Sequence, residues 1–238
     1  MQADRDTLVR WALQAVPGRG RRYDVDGAVA VTAAGLNRRD RLVVAGTPAG
    51  AQRVVEQALA DSPRHFVLGG TELIHALRGV TPVSTFGWMD LHREDPHPCV
   101  DTSRVRRLDD ETAARVLARA NPGSWVQVGE PAVHAWAGVA PVRAEQSGCA
   151  DHLGTTSIAS LAALAHCSAH VAFIAGVGTV PEHRGQGLSR TVCAYLRDEG
   201  LRRWGTVALM VDANNAAGIA LYTRLGFTYR SVTAARAV

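Results

Sequence analysis

The chain has 238 residues, of which 47% are hydrophobic and 20% charged, with 23 glycines and 10 prolines. This composition is ordinary for a folded protein with an apolar core and excludes disorder over most of the length. The formal net charge of +4 comes partly from arginine patches at 18–22 and 104–107. These patches predict a solvated basic face or an anionic small-molecule ligand. Nucleic acid is not expected as a partner, because no interleaved aromatic residues accompany these arginines.

The first segment, MQADRDTLVRW, is charged and contains no apolar signal region. No uninterrupted apolar run approaches the roughly 18 residues that span a membrane. The four cysteines, Cys99, Cys149, Cys167 and Cys193, form no CxxC pair and no regular framework. These features predict a cytoplasmic protein with reduced thiols and no membrane partner.

Residues 1–95 combine helical and strand patterns and are predicted to form an N-terminal α/β lobe. The helical patterns lie within 5–16 and 49–62, and the strand patterns within 27–36, 40–46 and 64–70. A polar stretch follows, in which Pro96 and Pro98 prevent a regular helix. Residues 96–104 are therefore predicted to be a linker.

Residues 105–238 are predicted to form a second domain. Asp109 or Asp110 can cap a helix that runs to Ala120. The alternating, valine- and tryptophan-rich residues 124–144 indicate antiparallel strands. The later segments are a run at 157–166 that fits a helix or a strand, a strand over 171–180, a helix over 188–197, a strand over 206–213, a helix over 215–224, and a final strand after Phe227. Reading the sequence gives no evident internal repeat.

A glycine-rich turn separates the strand at 171–180 from the next helix. Gly185 and Gly187 permit positive φ and close approach of the backbone to an anion, the helix that follows offers unpaired N–H groups, and Arg184 adds a cation. A P-loop would need Gly-Lys followed by Ser or Thr, and a dinucleotide fingerprint would need a third glycine where Arg190 stands. Taken alone, the turn binds a different anion or binds nothing.

A second motif lies about thirty residues downstream. The pattern Arg184-x-x-Gly187-x-Ser189, together with this second motif, resembles the GNAT superfamily of acetyl-CoA-dependent N-acyltransferases, although that family usually has Gly or Ala where Ser189 stands. The matching downstream residues are Asn215, Gly218, Leu221, Tyr222, Gly226 and Phe227. The resemblance covers about 105–232. It implies an α/β fold with a central mixed, mostly antiparallel sheet flanked by helices, and it implies that residues 1–95 are a degenerate GNAT-like half.

The resemblance also implies a set of cofactor contacts. The backbone of Val177, Gly178 and Thr179 would pair with the pantetheine arm of acetyl-CoA, like an added strand. The pyrophosphate would bind beside Arg184 on the amides of Gly185, Gln186, Gly187, Leu188, Ser189 and Arg190. Asn215 would contact the cofactor or the neighbouring backbone. Tyr222 would protonate the departing thiolate; taken from spacing alone, it is equally a core tyrosine of an amphipathic helix.

The strand pattern itself gives a further expectation. If residues 171–180 form a regular strand, Ile174, Gly176, Gly178 and Val180 share one face, and the two glycines leave room for a ligand or another backbone. A β-bulge or tight packing is the alternative explanation for Gly176.

The predicted function is transfer of an acetyl group from acetyl-CoA to an amine of unknown identity, by direct attack in a ternary complex. The alternative is a non-catalytic acyl-CoA-binding or sensing module, since the strand at 171–180 contains no carboxylate to serve as base. The candidate bases are Glu130, His134, Asp151, His152 and His170. Glu182 and His183 are set aside, because they lie within the turn, too close to the expected pyrophosphate. No metal is expected, and the protein is predicted to be a monomer or homodimer.

Overall fold

The structure is a computed structural model that describes residues 5–14, 20–36, 38–141 and 158–238. Its helices are α1 (Thr7–Ala12), α2 (Pro48–Asp61), α3 (Thr71–Ala76), α4 (Asp110–Ala120), α5 (Leu188–Trp204) and α6 (Ala216–Arg224). Its strands are β1 (Gly20–Val25), β2 (Ala28–Leu36), β3 (Arg39–Gly46), β4 (Phe66–Gly70), β5 (Val80–His92), β6 (Arg106–Leu108), β7 (Val133–Val139), β8 (Ser160–Ala165), β9 (Ala172–Thr179), β10 (Thr206–Asp212) and β11 (Thr228–Ala237).

Local signals set the ends of several helices. The side chain of Asp109, rather than that of Asp110, caps α4 by accepting a hydrogen bond from the amide of Thr112 at 2.7 Å. Thr47 caps α2, whose first residue is Pro48. Gly205 ends α5 in the left-handed conformation. No helix in the described segments is both long and apolar enough to cross a membrane.

The eleven strands form one sheet in the order β1-β2-β3-β4-β11-β5-β10-β9-β8-β7-β6. Two pairs are parallel, β3 with β4 and β9 with β10, and the other pairs are antiparallel. The predicted fold class, a mixed and mostly antiparallel sheet flanked by helices, is confirmed. The ambiguous run at 157–166 contributes β8, which is buried along its whole length and so lacks the alternation of a half-exposed strand.

The same sequence of elements occurs twice along the chain. In the first half β2 and β3 are antiparallel, α2 crosses over to the parallel strand β4, and a short helix leads to β5. In the second half β8, β9, α5, β10, α6 and β11 follow in the corresponding order. The last strands are exchanged, since β5 pairs with β10, and β11 pairs with β4. Strands from both halves therefore alternate at the centre of the sheet, while the division at residues 96–104 stays a prediction.

Aromatic side chains from the two halves of the chain pack together against the central strands of the sheet. Trp11 of α1 lies 4.7 Å from Phe173 of β9 and 5.3 Å from Trp88 of β5, measured between ring centroids. Trp11 and Trp88 are fully buried. Such pairs contribute about 0.5–1.5 kcal/mol beyond area burial, so α1 holds β5 and β9 together on this face.

The segment around Pro98 is packed against the second half. The buried guanidinium of Arg197 donates to the carbonyl oxygens of Pro98 at 3.0 Å and Leu225 at 2.9 Å. Gly226 has φ +98°, and a Cβ there would lie 2.9 Å from the Cβ of His97. Glycine is needed at 226 both for its backbone conformation and for this contact.

Candidate active site

Two parallel strands separate near the middle of the sheet. The pairing of β9 with β10 ends at Ile174 and Leu209, although β9 continues to Thr179 and β10 to Asp212. Within the described residues, no strand covers the edge of β9 beyond Ile174 on the β10 side. An exposed strand edge is a template for pairing with an extended ligand.

A β-bulge interrupts β9 where the strands separate. Its register against β8 shifts by one residue between Ala175 and Gly178, and Gly176 has φ +63°. The expectation that Ile174, Gly176, Gly178 and Val180 share one face is therefore wrong, because the extra residue breaks the two-residue alternation.

Neighbouring side chains, rather than a ligand, explain why β9 has glycine at positions 176 and 178. A Cβ on Gly176 would lie 2.8 Å from the ring of Trp136. A Cβ on Gly178 would lie 3.0 Å from the Cβ of Ala120, at the end of α4. Both glycines thus allow other parts of the fold to pack closely against β9.

The glycine turn connects β9 to α5. A single 3₁₀ turn, Pro181–His183, is followed by Gly185 at φ +78° and Gly187 at φ +76°. Gly187 begins α5 without a side-chain cap, so the first amides of the helix have no partner within the helix. The guanidinium of Arg184 donates to the carbonyl oxygen of Thr179 at 3.2 Å, which holds this cation over the turn.

Three hydroxyl groups connect the turn to the sheet. The hydroxyl of Ser189 lies 2.6 Å from that of Thr179, which in turn donates to the hydroxyl of Ser160 at 2.9 Å. Ser160 donates to the carbonyl oxygen of Gly178 at 2.9 Å. Ser189, the departure from the usual family pattern, is thus a structural contact between α5, β8 and β9.

These elements enclose an open cavity of about 610 Å³, which we call the turn groove. Its lining includes Ala120, Val177, Gly178, Thr179, His183, Arg184, Gly185, Gly187, Leu188, Ser189, Arg190, Asn215, Gly218 and Tyr222. Of the residues predicted to bind the cofactor or act in catalysis, Gln186 alone does not line this groove. Its side-chain amide lies 3.4 Å from Nδ1 of His183 instead. The functional roles of all these residues stay predictions.

Asn215 and Tyr222 lie on α6 beside the groove. Asn215 caps α6 by accepting a hydrogen bond from the amide of Gly218 at 2.8 Å, so its contact is with the neighbouring backbone. Tyr222 is 8% exposed, and within the described segments its hydroxyl has no hydrogen-bond partner. Burial, with a smaller contribution from Cys193, raises the pKa of Tyr222 well above its usual value. Its phenol therefore stays protonated at neutral pH.

A second cavity of about 590 Å³, which we call the sheet cavity, lies on the other side of Tyr222. Its lining includes Arg39, Arg41, Phe66, Phe86, Ser124, Trp125, Phe173, Val177, Met210, Asp212, Asn215, Tyr222 and Arg236. Val177, Asn215 and Tyr222 line both cavities. The two cavities therefore meet at these three residues.

The predicted bases are mostly remote from this junction. Glu130 accepts a hydrogen bond from the amide of Gln127, and His134 packs against Trp204. Glu130, His134 and His170 line neither the turn groove nor the sheet cavity. Asp151 and His152 lie outside the described residues.

Glu182 and His183, which lie in the turn itself, do not line the sheet cavity either. Glu182 lies 3.2 Å from Arg119, both side chains being exposed. His183 lines the turn groove but not the sheet cavity.

Asp212 is the residue that sequence reasoning missed. It is the single acidic residue among those that line the sheet cavity in the described part of the chain. It ends β10 at the point where β9 and β10 have separated. Its position after a parallel strand was the available signal, because ligands of such sheets bind beyond the carboxyl ends of the strands.

No group of three or more His, Cys, Asp or Glu side chains that could hold a metal ion occurs among the described residues. Burial raises the pKa of Cys167 to about 11 and that of Cys193 to about 12. Neither thiol is therefore a nucleophile near neutral pH.

Comparison with known proteins identifies a family. The model of the acetyltransferase (GNAT) family matches residues 86–227. The mycothiol acetyltransferase of Catenulispora acidiphila is 46% identical over 59 residues, which are 23% of this chain and 18% of that protein. That of an Arthrobacter species is 43% identical over 56 residues, 22% of this chain and 16% of that protein. The chain thus aligns with less than a fifth of the length of these curated relatives.

Solved structures share the fold over nearly the whole chain. A GCN5-related N-acetyltransferase from Kribbella flavida aligns with a TM-score of 0.57 at 19% identity, covering 99% of this chain and 93% of that one. Another, from Sphaerobacter thermophilus, aligns with a TM-score of 0.53 at 16% identity, covering 88% of this chain and 79% of that one. At these identities the likeness concerns the fold alone.

Proposed function

The chain belongs to the GNAT acetyltransferase family, and from this premise we propose that it transfers the acetyl group of acetyl-CoA to an amine by direct attack in a ternary complex. The observation that carries the proposal is the junction of the turn groove and the sheet cavity at Val177, Asn215 and Tyr222. A thioester bound in the groove and an amine bound in the cavity would meet there. Such an arrangement lowers the entropic cost of bringing two reactants together.

The turn groove has the features that a phosphorylated cofactor needs. The first amides of α5 have no side-chain cap, and Arg184 and Arg190 supply cations at the same place. The uncovered edge of β9 offers backbone groups to the amides of the pantetheine arm. When bound, acetyl-CoA supplies the activated acetyl group and a thiolate leaving group.

The residues at the junction have complementary proton-transfer roles. The amine nitrogen attacks the thioester carbonyl carbon, and the carbon–sulfur bond breaks. The carboxylate of Asp212 accepts the proton that the nitrogen loses, directly or through water. The phenol of Tyr222 donates a proton to the departing sulfur. The products are an amide and a free thiol; Asp212 then releases the proton that it accepted to solvent, and Tyr222 takes up a proton from solvent.

The protonation state of Tyr222 supports its role as the acid. Since burial raises its pKa well above the usual value, the hydroxyl carries its proton at neutral pH. Since the hydroxyl has no hydrogen-bond partner in the described part of the chain, the proton is available to a group in the groove.

The replacement Tyr222→Phe tests this function. Release of free CoA is measured with acetyl-CoA and a panel of primary amines, and acetyl-CoA binding is measured separately by calorimetry. We expect kcat to fall about 100-fold, as for loss of a general acid, with the Kd for acetyl-CoA unchanged. Tyr229→Phe, which removes a partly exposed hydroxyl outside both cavities, is the matched control and should keep full activity.

Two outcomes would contradict the proposal. Full activity of Tyr222→Phe would remove Tyr222 as the acid. If the native protein binds acetyl-CoA but releases no CoA with any amine or peptide of the panel, it does not catalyse the transfer.

A further inference from the structure

The wall of the sheet cavity opposite the turn groove carries three arginines. Arg39 and Arg41 lie two residues apart on β3, and Arg236 lies on β11. Residues two apart on a strand point to the same face. Arg41 is also the cross-strand partner of Phe66 on β4. The three arginines therefore lie near Phe66 in the lining of one cavity.

Aromatic rings support two of these guanidinium groups. The Cζ of Arg39 lies 5.3 Å from the ring centre of Phe66 and 5.5 Å from that of Trp125. The Cζ of Arg236 lies 5.1 Å from the ring centre of Phe66. A guanidinium that stacks on a ring keeps its N–H edges free for a bidentate contact with an oxyanion. These arginines are therefore preorganised for such a ligand.

Arg41 lies deeper in the cavity. It is 8% exposed, and its Nε donates to the carbonyl oxygen of Leu36 at 3.2 Å. Burial, followed by repulsion from Arg39, lowers the pKa of Arg41 to about 10, so it is still charged at neutral pH. A buried guanidinium is normally paired with an anion, because leaving it unpaired is costly.

These arginines have no acidic partner within the described residues. No carboxylate there lies within 4.0 Å of Arg39, Arg41 or Arg236. Asp212 is the single acidic residue of the described lining, and it is on β10. The sheet cavity thus carries an excess of positive charge at the end away from its junction with the turn groove.

From this charge distribution we propose that the acceptor carries an oxyanion, a carboxylate or a phosphate, which binds to Arg39, Arg41 and Arg236 while its amine lies near Asp212. The inference rests on the proposed acetyl transfer. In the sheet, β11 is two strands from β10 and β3 is four strands away, which corresponds to roughly 10 and 20 Å at the usual strand spacing. Several bonds must therefore separate the oxyanion from the reacting nitrogen. Their number must be larger than in an acceptor whose amine and carboxylate are attached to the same carbon.

Matched acceptor pairs test the inference. ω-Aminohexanoate is compared with its neutral amide, and aminohexyl phosphate with aminohexanol, with CoA release as the readout. We expect kcat/KM to be at least about tenfold higher for a charged member, and Arg236→Gln and Arg39→Gln each to remove most of that difference. Which charged member reacts faster distinguishes a carboxylate from a phosphate. Arg64→Gln, which removes an exposed arginine outside both cavities, should leave the ratio unchanged.

A binding measurement keeps the inference separate from the proposed transfer. Calorimetry with adipate and with inorganic phosphate should detect saturable binding to the native protein, and the double variant Arg39→Gln/Arg236→Gln should lose it. Both of these positions are exposed, so the double variant should fold as the native protein does, whereas the buried Arg41 is the riskier position.

The results separate the two proposals. Anion binding without turnover of any amine would contradict the transfer and support the anion site. Equal kcat/KM for charged and neutral acceptors, or anion binding that survives in the double variant, would overturn the inference and leave the arginines as a contact between β3, β4 and β11. Absence of saturable anion binding together with absence of charge preference would overturn it as well.

Discussion

The hydroxyl of Ser189, on the first turn of α5, lies 2.6 Å from the hydroxyl of Thr179, the last residue of β9. This contact holds the unpaired amides of the helix beside the uncovered strand edge. The pyrophosphate and pantetheine parts of a bound cofactor would contact these two elements. The contact between the two hydroxyl groups therefore joins the two parts of the turn groove.

Replacing Ser189 with alanine tests how much this contact contributes. We expect Ser189→Ala to lower the free energy of unfolding by about 1 kcal/mol, as for loss of a hydrogen bond between neutral groups. Acetyl-CoA affinity should change little, because a small residue is usual here in the family. Urea denaturation and calorimetry measure the two effects. Thr191→Ala, whose hydroxyl is exposed and 3.4 Å from the carbonyl oxygen of Gly187, is the control, and a large loss of cofactor affinity in Ser189→Ala would contradict the expectation.

Gly187 is required by its backbone conformation. No protein atom described by the structure lies within 4 Å of where its Cβ would stand, but φ is +76°. We expect Gly187→Ala to cost about 1–2 kcal/mol for the left-handed conformation. If the turn relaxes to avoid that cost, the Kd for acetyl-CoA should rise about tenfold, since about 1.4 kcal/mol corresponds to a factor of ten.

Gly70→Ala is the matched control for Gly187. It has the same open space around its Cβ position but a φ of −53°, and it lines neither cavity. It should leave acetyl-CoA affinity unchanged. If Gly187→Ala also binds acetyl-CoA like the native protein, the geometry of the turn does not control cofactor binding.

Asp212→Asn tests the proposed base. We expect kcat/KM for the amine to fall at least about tenfold near neutral pH. This minimum effect is smaller than the usual effect of losing a general base, because water can partly replace the carboxylate. The deficit should narrow at higher pH, since a larger fraction of the amine is already unprotonated. Glu94→Gln, which removes an exposed carboxylate outside both cavities, is the control. A deficit that stays constant with pH would argue against proton transfer to Asp212.

The buried thiol of Cys193 predicts loss of stability in alkali. The pKa of this thiol is about 12 in the folded protein and 9.0 in the reference state. Its contribution to the free energy of unfolding is therefore fully present below about pH 9. Between these values the folded state binds more protons than the unfolded state, and stability falls by at most about 1.4 kcal/mol per pH unit for this group. Cys167 and Tyr222 act in the same direction.

We therefore expect the free energy of unfolding of Cys193→Ala, measured in urea from about pH 8 to about pH 11, to decline less steeply than that of the native protein. Cys99→Ala removes an exposed thiol and should follow the native curve. Parallel curves for all three proteins would show that Cys193 is ionised to the same extent in the folded and unfolded states.

Features that depend on a few neighbouring residues could be predicted from the sequence. The helix cap at Asp109 and the left-handed turn at Gly185 and Gly187 follow from local hydrogen bonding and backbone sterics. The place of Tyr222 beside the turn groove followed from the family motif, because the motif's two parts occur at a typical separation. Asp212 could not be selected in the same way, since its signal was its position after a parallel strand, and that pairing with β9 is a tertiary feature.

Longer-range relationships needed the tertiary structure. The alternation of residues predicted one face for Ile174 and Gly178, but a bulge that accommodates Trp136 and the end of α4 breaks it. The partner of each central strand was equally hidden, because β11 pairs with β4, more than 150 residues earlier in the chain, through ordinary backbone hydrogen bonds.

The sequence by itself determined the type of many elements and the family, and it predicted the role of the glycine turn, since periodicity, caps and motifs are properties of short segments. Only the tertiary structure decided which charged groups line the sheet cavity. The exchange of β5 and β11 brings Arg39 and Arg41, from the first part of the chain, and Arg236, from its last part, into one cavity with Asp212 and Tyr222. The physical reason is that strand pairing and packing act between residues that are distant in the chain, and no local pattern records which partner they will have.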